Sequence, residues 1–90
     1  MFVFLVTFAL ETPEDNMKTL VEMIQSQGDW GRISNVAYAL HTPLSQQNLF
    51  ESLAPVLKEE DVLYVVPLRR PFVGKGPAEL DKWLDEVLPY

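Results

Sequence analysis

The chain has 90 residues, 48% hydrophobic and 22% charged, with 13 acidic and 7 basic side chains and a formal charge of −6. That length makes one domain, residues 1–90, of globular rather than disordered composition. The absence of cysteine excludes disulfides, thiol catalysis and thiolate metal sites, and makes a cytoplasmic location the expectation.

The acidity is adverse to non-specific nucleic-acid binding, which draws its affinity from phosphate neutralisation. A domain this small buries only about 60–65% of its unfolded surface, so self-association is an available source of stability.

The opening MFVFLVTFAL is about half the roughly 20 apolar residues that a membrane span requires. It lacks a basic leader and a small-residue cleavage site. Its Phe, Val and Thr content predicts a buried central strand instead, with no membrane association. Thr12-Pro13-Glu14-Asp15 then reads as a helix start: Thr12 can cap, Pro13 suits the first helical position, and the two acids suit the positive end of the dipole. Met17, Leu20, Val21 and Ile24 recur at helical spacing, and the helix is expected to stop near Gly28.

In GDWGRISNVAYALHT, Ile33, the turn-prone Ser34-Asn35 and then Val36–Leu40 predict two strands joined by a tight hairpin, or one long bent strand. Thr42-Pro43 repeats the helix-start grammar, with Ser45 as a competing cap. Leu49, Phe50, Leu53 and Leu57 form the second apolar helical face, which Pro55 should kink or end. Val62–Val66 predicts a fourth strand whose pairing Pro67 should stop. Pro77 opens a last helix with Leu80, Trp83, Leu84, Val87 and Leu88 on one side.

The order β-α-β-β-α-β plus a helix predicts an α+β, ferredoxin-like fold: an antiparallel four-stranded sheet, helices on one face, and a C-terminal helix. The first and third strands then lie side by side at the centre. The near-rhyme of FALETP (Phe8–Pro13) with YALHTP (Tyr38–Pro43) falls at their two strand-to-helix corners.

Sites with chemistry are sparse. The lone histidine, His41, reads as an exposed or locally bonded residue ahead of a ligand or acid–base group. The acids cluster at helix ends and turns, as solvated surface does. No phosphate-cradling glycine loop and no serine–histidine–acid triad is present. Arg69, Arg70 and Lys75, flanked by Phe72, form the basic patch able to grip a phosphate or an acidic partner surface. The competing reading has them offset the acidic chain or pair with Glu79 and Asp81. Trp30 and Trp83 read as core or interface residues.

The strand FLVTFAL, the hairpin RISNVAYALHT, the strand DVLYVVPL and the final WLDEVL together resemble the CRISPR-associated protein-two superfamily, in particular its compact bacterial SinR-like relatives. Those relatives open with a pattern like Val-Thr-Tyr-Asp-Leu. They carry an aromatic residue in the second hairpin strand, an Asp-x-Leu-x-Val-Val fourth strand and a C-terminal Trp-Leu helix. The resemblance spans nearly the whole chain in element order and length. It implies a homodimer of ferredoxin-like subunits and, at the end of the first strand, an Asp near the dimer mate that serves a divalent-metal site for phosphodiester cleavage.

Ala9 stands at that position, and a methyl group offers Mg²⁺ no oxygen donor. The resemblance with that substitution leads to a non-catalytic homodimeric binding or assembly module with a protein partner, and no cofactor. The Arg69–Lys75 loop is its candidate partner surface. The alternative is a Mg²⁺-dependent endonuclease on RNA or DNA with its carboxylate moved to Glu11, which would share Ala9's face if the strand continued. Small-ligand binding in the sheet–helix groove is a third option.

Overall fold

Alternation along the first strand decides the layout. The computed structural model describes residues 1–88, and Pro89 and Tyr90 of the expected 1–90 domain lie outside the described residues. Its elements are β1 (Phe2–Ala9), α1 (Pro13–Gln25), β2 (Asp29–Ser34), β3 (Ala37–Thr42), α2 (Gln46–Leu53) with a short 3-10 turn at Ala54–Val56, β4 (Val62–Pro67) and α3 (Ala78–Val87). In β1 the even positions Phe4, Val6 and Phe8 are buried. The antiparallel registers set them level with Leu40 and Tyr38 of β3 and with Leu63 of β4. Leu20 and Ile24 from α1 and Leu49 and Leu53 from α2, all fully buried, close the core on that face.

The sheet order is β2-β3-β1-β4 with every neighbour antiparallel, the ferredoxin-like arrangement expected from the element order. The third helix takes the other face. Gly31 pairs with Ala39, on the side opposite Trp30 and the main core. A Cβ at Gly31 would stand 2.8 Å from Leu80 Cδ1 and 3.1 Å from the Trp83 ring. Only a glycine lets α3 come this close to the strand, so α3 lies over β2 and helps bury Ala39.

The two rhyming corners differ in detail. Thr12 occupies the N-cap position of α1, but its side chain makes no capping bond. Thr42 is buried; its hydroxyl donates to the Gln27 carbonyl at 2.8 Å and accepts from the Leu44 N–H at 3.2 Å. That hydroxyl is committed to the α1–β2 connection, so Ser45 takes over as the cap of α2 and accepts from the Asn48 N–H. The hairpin turn falls at Asn35-Val36, one residue later than Ser34-Asn35 suggests. Ser34 Oγ accepts from the Val36 N–H and Arg32 bonds Asn35, a side-chain-stabilised turn with an irregularity between Arg32 and Ser34. Pro55 ends α2 as expected. Pro67, however, does not stop the β4 ladder: it sits in register with Phe4, and the Leu68 N–H still donates to the Val3 carbonyl at 2.9 Å.

Beyond β1 the chain is fastened by one carboxylate. Asp61 accepts from the Lys58 N–H, the Asn16 side-chain amide and the Glu11 N–H, each at 2.9 Å. Asn16 also donates to the Val56 carbonyl, and Lys58 pairs with Asp15. The β1–α1 corner is thus tied to the turn that enters β4. The Lys58 N–H bond, then those from Asn16 and Glu11, hold the Asp61 carboxyl below its ordinary value of 3.8.

A depressed acid contributes stability above its unfolded pKa and loses it as pH falls through the lower folded value. The urea midpoint should therefore drop as pH falls from about 5 through the ordinary aspartate range near 3.9 and below. Asp61→Asn should lower the neutral-pH midpoint and flatten that acid dependence; an unchanged acid limb would remove Asp61 from the explanation.

Candidate functional site

Because α3 covers the β2–β3 half of its face, the β1–β4 half is left open. The side chains there are Leu5, Thr7 and Ala9 from β1, level with Val66, Tyr64 and Val62 from β4. Tyr64 is 65% exposed and the two valines 44% each. None of the six carries a charge, in a chain whose net charge is −6. Single exposed apolar residues are ordinary, but a contiguous set on one sheet face, beside a free edge, is what a contact surface requires.

The charges lie at the ends of the strand. Glu59, Glu60 and Asp61 precede β4, and Arg69 and Arg70 follow it after Leu68. The predicted basic patch is divided by the fold. Arg70, with 19% of its side chain exposed, donates to the Asp85 carboxylate at 2.8 Å, to the Asp85 carbonyl at 2.6 Å and to the Leu88 carbonyl at 3.2 Å. Its guanidinium also stands 5.9 Å from the centre of the Phe72 ring. Arg70 thus fastens the end of α3, using Asp85 rather than the Glu79 and Asp81 considered as partners. Arg69, Phe72 and Lys75 remain exposed.

Arg69 lines an open cavity of about 380 Å³ between the start of β1, the start of α2 and the end of β4, together with Ser45 and Gln46. Phe72 and Lys75 line a separate apolar groove of about 270 Å³ against Ile33 and the Leu80 and Leu84 side of α3.

Glu11 does not continue β1. The strand ends at Ala9 and Glu11 stands in a bend, exposed, with its N–H held by Asp61. The face-sharing expected from an uninterrupted strand is therefore corrected: two-residue alternation stops before it reaches Glu11. Asp61, the carboxylate nearest that corner along the hydrogen-bond network, is taken up by three donors.

His41 is half-buried, with Nδ1 3.9 Å from the Asp29 carboxylate across the β2–β3 pair, beyond hydrogen-bonding reach. Among the described residues no three His, Cys, Asp or Glu side chains are placed to share a metal ion, and no helix is long and apolar enough to cross a membrane. Trp30 meets Tyr38 edge-on at 5.9 Å, and Trp83 packs at Gly31.

Tyr64, Val62 and Val66 were not identifiable as a surface from sequence patterning. VLYVV is apolar at every position, and such a run reads as a strand buried on both faces. The usable signal was the mismatch between a doubly apolar strand and a chain with too few helices to cover both of its faces. Compared with known proteins, the chain matches no protein-family model and no curated protein.

The seating of α3 is open to direct test. Arg70→Ala removes hydrogen bonds from a charged donor to main-chain carbonyls and should cost about 1–3 kcal/mol in urea unfolding, with faster hydrogen exchange confined mainly to α3. Arg69→Ala should leave both unchanged. Equal effects of the two would mean that Arg70 does not hold the helix.

Proposed function

We propose that the protein is a non-catalytic assembly module of the CRISPR-associated protein-two kind, working as a homodimer and engaging a protein partner. The observation that carries this reading is the uncharged open half-sheet of Leu5, Thr7, Ala9, Val62, Tyr64 and Val66 next to the free β4 edge. A second copy is the occupant that fits its β4 margin, where Val62, Tyr64 and Val66 are exposed: burying them compensates for the small core of a 90-residue chain. Ala9, within this surface, stands where the family that the chain resembles keeps its metal-binding Asp, and its methyl group offers no oxygen donor.

The exposed Phe72 and Lys75, on the groove beside α3, and Arg69, on a separate cavity, are the cationic and aromatic side chains left to face an acidic protein surface. With a net charge of −6 the module is a poor general binder of nucleic acid. The resemblance also supplies the rival reading, the Mg²⁺-dependent endonuclease with Glu11 as its carboxylate.

Two measurements separate them. At micromolar concentration the protein should have a light-scattering mass of twice its 10.3 kDa chain; a mass of one chain would overturn the dimer. Incubation with RNA or duplex DNA and Mg²⁺ should give no cleavage. Cleavage that Glu11→Ala abolishes would replace the assembly reading with the endonuclease.

A further inference from the structure

We propose that two copies join edge to edge through β4, antiparallel about a two-fold axis at Tyr64, to form one continuous eight-stranded sheet from twice the four strands of each copy. The proposal rests on the homodimer reading above and adds to it a binding mode and a register.

Main-chain geometry comes first. The Leu68 N–H donates to the Val3 carbonyl, and an antiparallel ladder alternates every two residues. In register, Val66, Tyr64 and Val62 therefore bond inward to β1, whereas Leu63, Val65 and Pro67 turn their main-chain groups to the free edge. Two observations agree with this. The Gln46 side-chain amide reaches the Val65 carbonyl at 2.8 Å from α2, and the position without an N–H, Pro67, falls where no β1 acceptor is left unpaired.

That edge has N–H groups to offer at Leu63 and Val65 and none at Pro67. A two-fold pairing that matches donors to acceptors sets Leu63 of each copy opposite Val65 of the other, two pairs that each exchange both main-chain bonds. Centring the axis on Val65 instead would face Leu63 with Pro67 and forfeit a donor. The favoured register requires Gln46 to release the Val65 carbonyl. Gln46 is exposed, so one amide replaces another at that acceptor.

Side chains select the same register independently. With Tyr64 on the axis, the open-face neighbours across the junction are Tyr64 with Tyr64, and Val62 with Val66 in both directions. Every one of these is an apolar side chain that a single copy leaves exposed, and such cross-strand pairs are the unit of sheet stabilisation. The opposite edge, β2, is unsuited: it carries Asp29 and Arg32, is irregular between Arg32 and Ser34, and lies under α3.

The absence of cysteine gives a clean test by single-cysteine cross-linking. Residues facing their own copies at a non-hydrogen-bonded position have Cα atoms about 4.5 Å apart, within the roughly 4.4–6.8 Å range of disulfides. Tyr64→Cys, oxidised at micromolar concentration, should give a reducible covalent dimer. Val62→Cys alone should not, because its own copy lies four residues along the strands, on the order of 13 Å away. Val62→Cys mixed with Val66→Cys should link.

Covalent dimer from Val62→Cys alone, or none from Tyr64→Cys in a sample of dimeric mass, overturns the register while leaving the homodimer standing. A single-chain mass for the unmodified protein overturns both. Gln46→Ala removes the competitor for the Val65 carbonyl in both copies and should tighten association about thirty-fold, the worth of one hydrogen bond in each copy; unchanged or weaker association counts against edge pairing.

Discussion

The close approach of α3 to β2 at Gly31 governs what the rest of the molecule can do. A four-stranded sheet has two faces to cover, and α1 and α2 take one of them. The second is only half covered, because one helix seats where one glycine lets it, with Leu80 and Trp83 against the bare backbone. Arg70 fixes the end of that helix through Asp85 and the Leu88 carbonyl. The boundary between buried Ala39 and Val3 and exposed Tyr64 follows from that seat.

Much of the fold was legible because its elements obey simple periodicities. Leu20 and Ile24, then Leu49 and Leu53, recur at helical spacing and are fully buried; Pro13 and Pro55 bracket helices as their fixed φ requires. What escaped is what depends on contacts distant in sequence. Thr42 looks like a second Thr12, yet its hydroxyl is drawn to the Gln27 carbonyl, which no local pattern announces. Pro67 looks like a strand terminator, yet its missing donor faces away from β1, and only the register reveals that. The basic cluster appeared as one patch in sequence, and the fold turned Arg70 inward while leaving Arg69 and Lys75 outside.

The corner at Ala9 joins fold and function. Its main chain is held from outside by Asp61, which fastens Glu11, Asn16 and Lys58 at once and so fixes where β1 stops and β4 begins. A carboxylate with three of its roughly four acceptor sites committed is a poor candidate for metal ligation. Here acidity near the end of the first strand serves alignment of β1 with β4, the two strands that build the open surface.

The irregularity between Arg32 and Ser34 has a consequence for how large an assembly can become. In the proposed dimer both β4 edges are consumed at the junction, and the outer rims of the enlarged sheet are the two β2 strands. Those rims are kinked, charged and roofed by a helix, so a third chain finds no straight ladder to extend. Growth ends at the two-fold, a closed particle rather than the open-ended fibre that exposed sheet edges otherwise invite.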